Sequence, residues 1–252
     1  MKKELPWTIR RIYVVVVLVL LCGCATVYNP ATQRKEFYFI SDSSEISIGK
    51  NIARQVIKEN HLVDDTTMVE RVRRIGERIA SVCDRNYLTY NFYVIDEKGI
   101  NAFSLPGGYV FVNRGAVESL DDNELAFVLA HEIGHVCARH AVKRLQASLG
   151  AELVLSLALR DVNNIFIKDA TNIIYNLVAL GYSRQDEFLA DSLAVKYTYR
   201  AGYNPEAGIR VMEKLKKDSS EKYTFVFLRS HPPVPERIKN IEEKIAALKG
   251  RT

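Results

Sequence analysis

The chain has 252 residues, 48% hydrophobic and 26% charged, enough apolar matter for one or two compact domains with a real core. Its formal net charge of +5 is inflated by the N-terminus: without residues 1–23, which carry Lys2, Lys3, Arg10 and Arg11 against Glu4, 31 basic and 29 acidic residues remain. No basic stripe points to nucleic acid, and no repeat or low-complexity tract is visible.

Residues 1–23 read as a targeting signal. Lys2, Lys3, Arg10 and Arg11 form a positive region ahead of the apolar run Ile12 to Leu21. That run is half of the ~20 residues a spanning helix requires. The segment Leu21-Cys22-Gly23-Cys24 resembles a bacterial lipobox, cut before a cysteine that then receives lipid. The resemblance implies a lipidated Cys24 anchored in a membrane. Ala25 stands where an inner-membrane retention signal carries Asp, so the outer membrane is the expected one. A plain signal peptide or an uncleaved anchor is the alternative. Residues 24–43 then read as an irregular, polar, lipidated tether, and residues 44–252 as the functional domain. Cys83 and Cys137 read as buried thiols, with a disulfide between them left open.

Two helices come next. One covers about Glu45–Glu59, with Ile46, Ile48, Ile52 and Val56 inward. The other covers about Thr67–Cys83, with Val69, Val72, Ile75, Ile79 and Val82 inward. Tyr90 to Ile95 reads as a strand by its aromatic and β-branched content. Asn101 to Asn113 reads as another, broken at Pro106-Gly107-Gly108. The break implies either an edge strand with a bulge or a hairpin.

The most informative stretch is Leu125 to His140, LAFVLAHEIGHVCARH. Asp121 and Glu124 form a capping-box pattern ahead of apolar residues at helical spacing. On that helix His131 and His135 lie four apart, on one face, and can offer two imidazoles to one metal ion. Glu132 beside them can act as general base on an activated water. A chance match on a buried helix is the competing reading. His140, nine residues from His131, falls on the opposite side of a continuous helix. The metzincin pattern is excluded, because Ala138 and Ala141 stand where it requires Gly and His.

Beyond it, Ala151 to Leu159 reads as a short apolar helix, Asp161 to Asp169 as a loop and Ala170 to Tyr199 as a long helix. The apolar 151–180 region reads as core or lid, with membrane contact the alternative. Gly202 reads as a helix stop, Asn204-Pro205 as the next helix start, and a last helix spans about Pro235 to Leu248. Glu187 and Asp191, four apart, share a helix face. Glu187 fits a third metal ligand, and Asp191 a hydrogen-bond acceptor that orients a ligating imidazole. A His, His, Glu set with an open fourth position is the catalytic arrangement for zinc.

His131-Glu132-Ile133-Gly134-His135 together with Ser183-Arg184 and Glu187 to Asp191 resembles the gluzincin family of HtpX-like and CaaX-prenyl-protease-like metallopeptidases. Asn101-Ala102-Phe103 and Leu105-Pro106-Gly107-Gly108 match that family's substrate-binding edge strand. Gly115, His140, His231-Pro232 and Arg237 also fit, and the resemblance spans about residues 35–245. It implies an α+β, mainly helical, zincin-like metalloprotease domain whose small sheet flanks the HExxH helix. It implies one Zn²⁺ on His131, His135 and Glu187, hydrolysis with Glu132 as base, and unfolded or misfolded proteins as substrates. With no paired membrane helices and no helical-repeat extension, the chain is similar to a short periplasmic lipoprotein branch. His231 is a latency switch, a donor to the transition state, or a loop histidine. A zinc-containing holdase or assembly factor is the rival class.

Overall fold

The computed structural model describes residues 26–159, 181–218, 231 and 235–250. Its main sheet has three strands, β3 (Asn91–Ile95), β4 (Ala102–Leu105) and β5 (Tyr109–Asn113), in the order β3-β5-β4. β5 runs parallel to β3 and antiparallel to β4, so β4 is an edge. The stretch Asn101 to Asn113 is therefore two strands and not one. Leu105 pairs with Tyr109 across a tight turn in which Gly107 and Gly108 have φ of +76° and +95°. Only glycine suits this turn: a Cβ on Gly107 would lie 2.7 Å from the Ile46 backbone, and one on Gly108 2.8 Å from the Thr89 carbonyl. The break is a hairpin turn, and its first strand is an edge with a continuous register and no bulge.

Side chains alternate across β5. Val110 and Val112 join the larger core, which contains the inner faces of α2 (Thr66–Ala80) and α4 (Asp122–Ala138). Phe111 points the other way, stacks between Tyr93 and Phe103 at 5.0 and 5.1 Å, and joins a smaller core with α1 (Asp42–Glu59). α4 is buried on all sides from Glu124 to Ala138, as a helix that is apolar all round must be. It begins with the expected capping box between Asp121 and Glu124.

Several sequence expectations need correction. Ile46 is 39% exposed, whereas Glu45 is buried in its place. The reason is a buried charge cluster: Arg85 and Arg139 bond the Glu45 carboxylate at 2.9 to 3.1 Å, and the Gly107 N–H donates to it at 3.2 Å. The run after Cys24 is not irregular. β1 (Thr26–Asn29) and β2 (Arg34–Phe37) form an antiparallel hairpin, with Ala31, Tyr38 and Ile40 buried against the domain. α4 stops at Ala138 because Arg139 turns left-handed at φ +57°, and α5 (His140–Leu159) then runs unbroken through the segment expected as a separate helix. The long helix expected over Ala170 to Tyr199 is shorter. α6 (Arg184–Arg200) starts at a Ser183–Asp186 capping box, just after Gly181 at φ +75°. Residues 160–180, including the loop expected at Asp161 to Asp169, lie outside the described residues. Gly202 stops α6 as expected, with φ +76°, and α7 (Ala207–Asp218) and α8 (Pro235–Lys249) complete the fold. No described helix is long and apolar enough to cross a membrane.

The Glu45 cluster ties α1, the glycine turn and the end of α4 together. Glu45→Leu leaves two guanidinium groups buried against an apolar side chain. We expect it to cost about 3–5 kcal/mol of stability, read as a lowered denaturant midpoint.

Candidate metal centre

α4 and α6 pack face to face at the middle of the molecule, and Gly134 permits their close approach. A Cβ there would meet the Ala190 carbonyl at 3.2 Å and the Leu193 side chain at 3.3 Å. The packing sets the HExxH face of α4 against Glu187 and Asp191 on α6.

His131, His135, Glu187 and His231 bring one donor atom each into a group no wider than 4.8 Å, all of them buried. His131 Nε2 lies 3.1 Å from His135 Nε2, 3.5 Å from Glu187 Oε2 and 3.3 Å from His231 Nδ1. His135 Nε2 lies 3.4 Å from Glu187 Oε1. Metal–ligand bonds of about 2.0–2.1 Å in a tetrahedron place donors about 3.4 Å apart, so the spacing fits. The ring orientations fit too. Both Nε2 atoms of the HExxH pair face inward, while the outer nitrogens meet partners: His131 Nδ1 is 3.0 Å from Asp191 Oδ1, and His135 Nδ1 is 2.8 Å from His140 Nδ1. The group can hold a metal ion.

The electrostatics are those of charges withdrawn from water. Burial alone would lower His131, but Asp191 and Glu187 outweigh it and hold the imidazole up at about 9. Burial dominates at His135, which falls to about 3. Burial would raise Glu187, yet the histidines around it, His231 foremost, keep its carboxyl well below the usual range. Asp191 also stays low against burial, because Arg237 forks onto it at 2.7 and 2.8 Å. The same guanidinium lies 2.9 Å from Glu187 Oε2 as an ion pair and donates to the His231 carbonyl at 3.2 Å.

Glu132 is fully buried among these groups. The Ser104 hydroxyl, on the edge strand β4, donates to its Oε2 at 2.9 Å, and Oε1 has no hydrogen-bond partner among the described residues. His231 Nε2 is 3.6 Å from that oxygen. Tyr182 stacks on the His135 ring at 4.0 Å, and its hydroxyl is buried without a hydrogen-bond partner among the described residues. A small cavity lined by Ser104, Leu105, His135 and Tyr182 adjoins the cluster. Two larger ones, of 710 and 630 Å³, lie away from it, at α1 and β3 and between α6 and α8.

The structure thus gathers His131, Glu132, His135, Glu187, Asp191 and His231. Of the other residues singled out, Ala102 and Phe103 lie on β4, Asn101 just before it, and Gly107 and Gly108 in its turn. Cys83 and Cys137 are free and buried, both within 3.6 Å of the Tyr90 hydroxyl. Cys24 lies outside the described residues. Sequence reasoning missed Ser104 and Tyr182, which carry no spacing signal, and misplaced His140. A continuous helix would turn His140 away; the break at Arg139 folds it back onto His135.

The chain belongs to peptidase family M48, whose model matches residues 67–245. It is 28% identical to the mitochondrial metalloendopeptidase OMA1 of Schizosaccharomyces pombe, over 86% of this chain and 65% of that protein. It is 25% identical to the putative beta-barrel assembly-enhancing protease of Vibrio cholerae, over 79% of this chain and 44% of that protein. The chain therefore spans less than two thirds of each of these relatives. Metalloprotease LoiP of Escherichia coli is 23% identical over 92% of this chain and 94% of its own length.

The Asp191–Arg237 pair separates stability from metal binding. We expect Asp191→Asn to lower metal affinity roughly 10–100-fold by releasing the His131 ring. It also strips Arg237 of its main partner. The double variant Asp191→Leu/Arg237→Met removes both charges together. It should regain part of the lost melting temperature, since Glu187 still loses its Arg237 partner, but none of the metal affinity, measured by competition with a chelator.

Proposed function

We propose that the protein is a zinc-dependent metalloendopeptidase acting on unfolded or misfolded proteins of the bacterial envelope. The observation that carries this reading is Glu132. It lies buried beside four metal-donor side chains, with one carboxylate oxygen held by Ser104 and the other without a hydrogen-bond partner among the described residues. A structural metal site gives such a carboxylate no task, whereas hydrolysis requires it.

His131, His135 and Glu187 would hold the metal, and two imidazoles with a carboxylate suit zinc. When bound, zinc supplies Lewis acidity, polarising the scissile carbonyl and easing deprotonation of water. Glu132 takes that proton on Oε1 and passes it to the leaving amine. Asp191 and His140 fix the two imidazoles from outside, and Arg237 holds Asp191 and Glu187 in place. An extended peptide would add through its backbone to the side of β4 that pairs with no described strand, from Asn101 to the Gly107-Gly108 turn. Backbone pairing selects unfolded chain over side-chain sequence.

Residues 1–23 act in this reading as a lipoprotein signal, and lipid on Cys24 tethers the enzyme to the outer membrane, where it serves protein quality control. Similarity to LoiP and to the beta-barrel assembly-enhancing proteases supports an envelope setting. One observation favours a second reading. His231 Nδ1 stands at the fourth corner, 3.3 Å from His131 Nε2 and 2.9 Å from Glu187 Oε1. There it would exclude the substrate and leave a latent, chaperone-like holdase or assembly factor.

A chain starting at Ala25 retains every described residue. That chain should degrade an unfolded model protein, lose activity to a chelator and regain it with zinc. Glu132→Gln should lower the rate by about 10²–10⁴-fold with metal content unchanged. Ser104→Ala should lower kcat by about tenfold, with little change in KM, by freeing the base. If the parent binds metal but cleaves nothing, and His231→Ala cleaves, the latent reading holds.

A further inference from the structure

The hairpin β1–β2 presents an aromatic, cationic face that no described residue covers. Thr26 pairs with Phe37 and Tyr28 with Lys35, so these four side chains share one face. Phe39, two residues further on, continues it, with its ring 6.4 Å from that of Phe37. Tyr28, Phe37 and Phe39 are 56%, 54% and 55% exposed. The face holds no acid. Glu36, the only one in the hairpin, lies on the other side, bonded to Lys143, Asn29 and Tyr38. Three large aromatic side chains at half exposure on so short a hairpin are costly in water.

What covers them follows from chain length. Cys24 precedes Thr26 by two residues, and the apolar run ends five residues before it at Leu21. Extended chain spans at most about 3.6 Å per residue, so β1 begins within about 7 Å of Cys24 and about 18 Å of Leu21. Whether Cys24 carries lipid or the apolar run stays uncleaved as an anchor, β1 starts at the bilayer surface. Aromatic rings with basic neighbours are the residues that settle at the level of lipid headgroups. Lys35, with Arg34 exposed beside it, complements anionic headgroups.

We propose that the outward face of the β1–β2 hairpin docks on an anionic lipid bilayer, through Tyr28, Phe37, Phe39 and Lys35, as a second membrane contact beside the N-terminal anchor. The proposal rests on the N-terminal run reaching a membrane, as in the proposed function, and not on lipid at Cys24. Its consequence is orientation. The hairpin is bonded to the corner between α4 and α5: Asn29 donates to the Cys137 carbonyl, Gln146 accepts from the Phe39 and Ile40 backbone, and Arg139 stacks over Tyr38 at 4.1 Å. That corner follows His135 directly. A docked hairpin therefore sets the metal centre at a fixed attitude to the membrane, where a loose tether would let it swing.

The test uses the chain starting at Ala25, which carries neither lipid nor apolar run, with vesicles of phosphatidylethanolamine and phosphatidylglycerol. It should float with the vesicles, less so as salt rises. Phe37→Ser/Phe39→Ser should lower the bound fraction by about tenfold or more while leaving the melting temperature unchanged. The chain's single tryptophan, Trp7, is absent from this protein, so Phe39→Trp gives a lone reporter whose emission should shift to the blue on vesicles. Failure of the parent to float, or equal flotation of the serine variant, overturns the proposal. So does a concentration-dependent dimer, abolished by the serine substitutions, that leaves no vesicle binding; the occupant is then a second copy. Mass measurement of the N-terminal peptide of the full chain, beside Cys24→Ala, tests the lipid separately, so the two failures stay distinct.

Discussion

Arg237 carries the heaviest electrostatic duty in this molecule. The centre buries three acids, Glu132, Glu187 and Asp191, and each would face several kcal/mol of desolvation if left unpaired. One guanidinium, itself 1% exposed, forks onto Asp191, pairs with Glu187 and donates to the backbone of His231. Asp191 then passes the constraint to the outer nitrogen of His131. Asp191 stays ionised in this interior because Arg237 reaches it from α8, the last helix of the fold, while the histidines around Glu187, His231 foremost, hold that carboxyl low. The metal-binding geometry thus depends on the C-terminal helix being docked.

The second condition is steric. Two helices can bring the donor atoms of His131, His135 and Glu187 together only if their backbones come close, and the glycine inside HExxH allows that. Gly134 sits against Ala190, so both sides of the contact are small. The left-handed residue Arg139 has a comparable effect at the helix end. By ending α4 it turns His140 onto His135, where Asp186 lies 3.4 Å from the far nitrogen. Each metal-facing imidazole is thereby held from behind, His131 by Asp191 and His135 by His140. Rings fixed from outside need little reorganisation on taking a metal.

These constraints join the ends of the chain to its centre. The N-terminal hairpin is bonded to the α4–α5 corner, and the Glu45 cluster fastens that corner to the glycine turn of the edge strand. Ser104 on the same strand reaches Glu132. A peptide added to β4 would therefore lie against the residue that bonds Glu132.

The sequence by itself determined what depends on short-range periodicity. His131 and His135 share a face because four residues make about one helical turn, and so do Glu187 and Asp191. The capping box at Asp121 was legible for the same reason, as was Gly202 as a stop. The tertiary structure alone decided what depends on contacts between distant segments. Ser104 meets Glu132 across 28 residues and His231 meets His131 across 100, and no spacing rule links them. Glu45 went inward and Ile46 outward because two arginines from elsewhere in the chain outweigh the hydrophobic pattern of a single helix. His140 was misplaced because one residue with positive φ, invisible in a non-glycine letter, breaks the periodicity on which the reading relied. Local backbone geometry is written in neighbouring residues, whereas buried charge pairs form only once packing has chosen their partners.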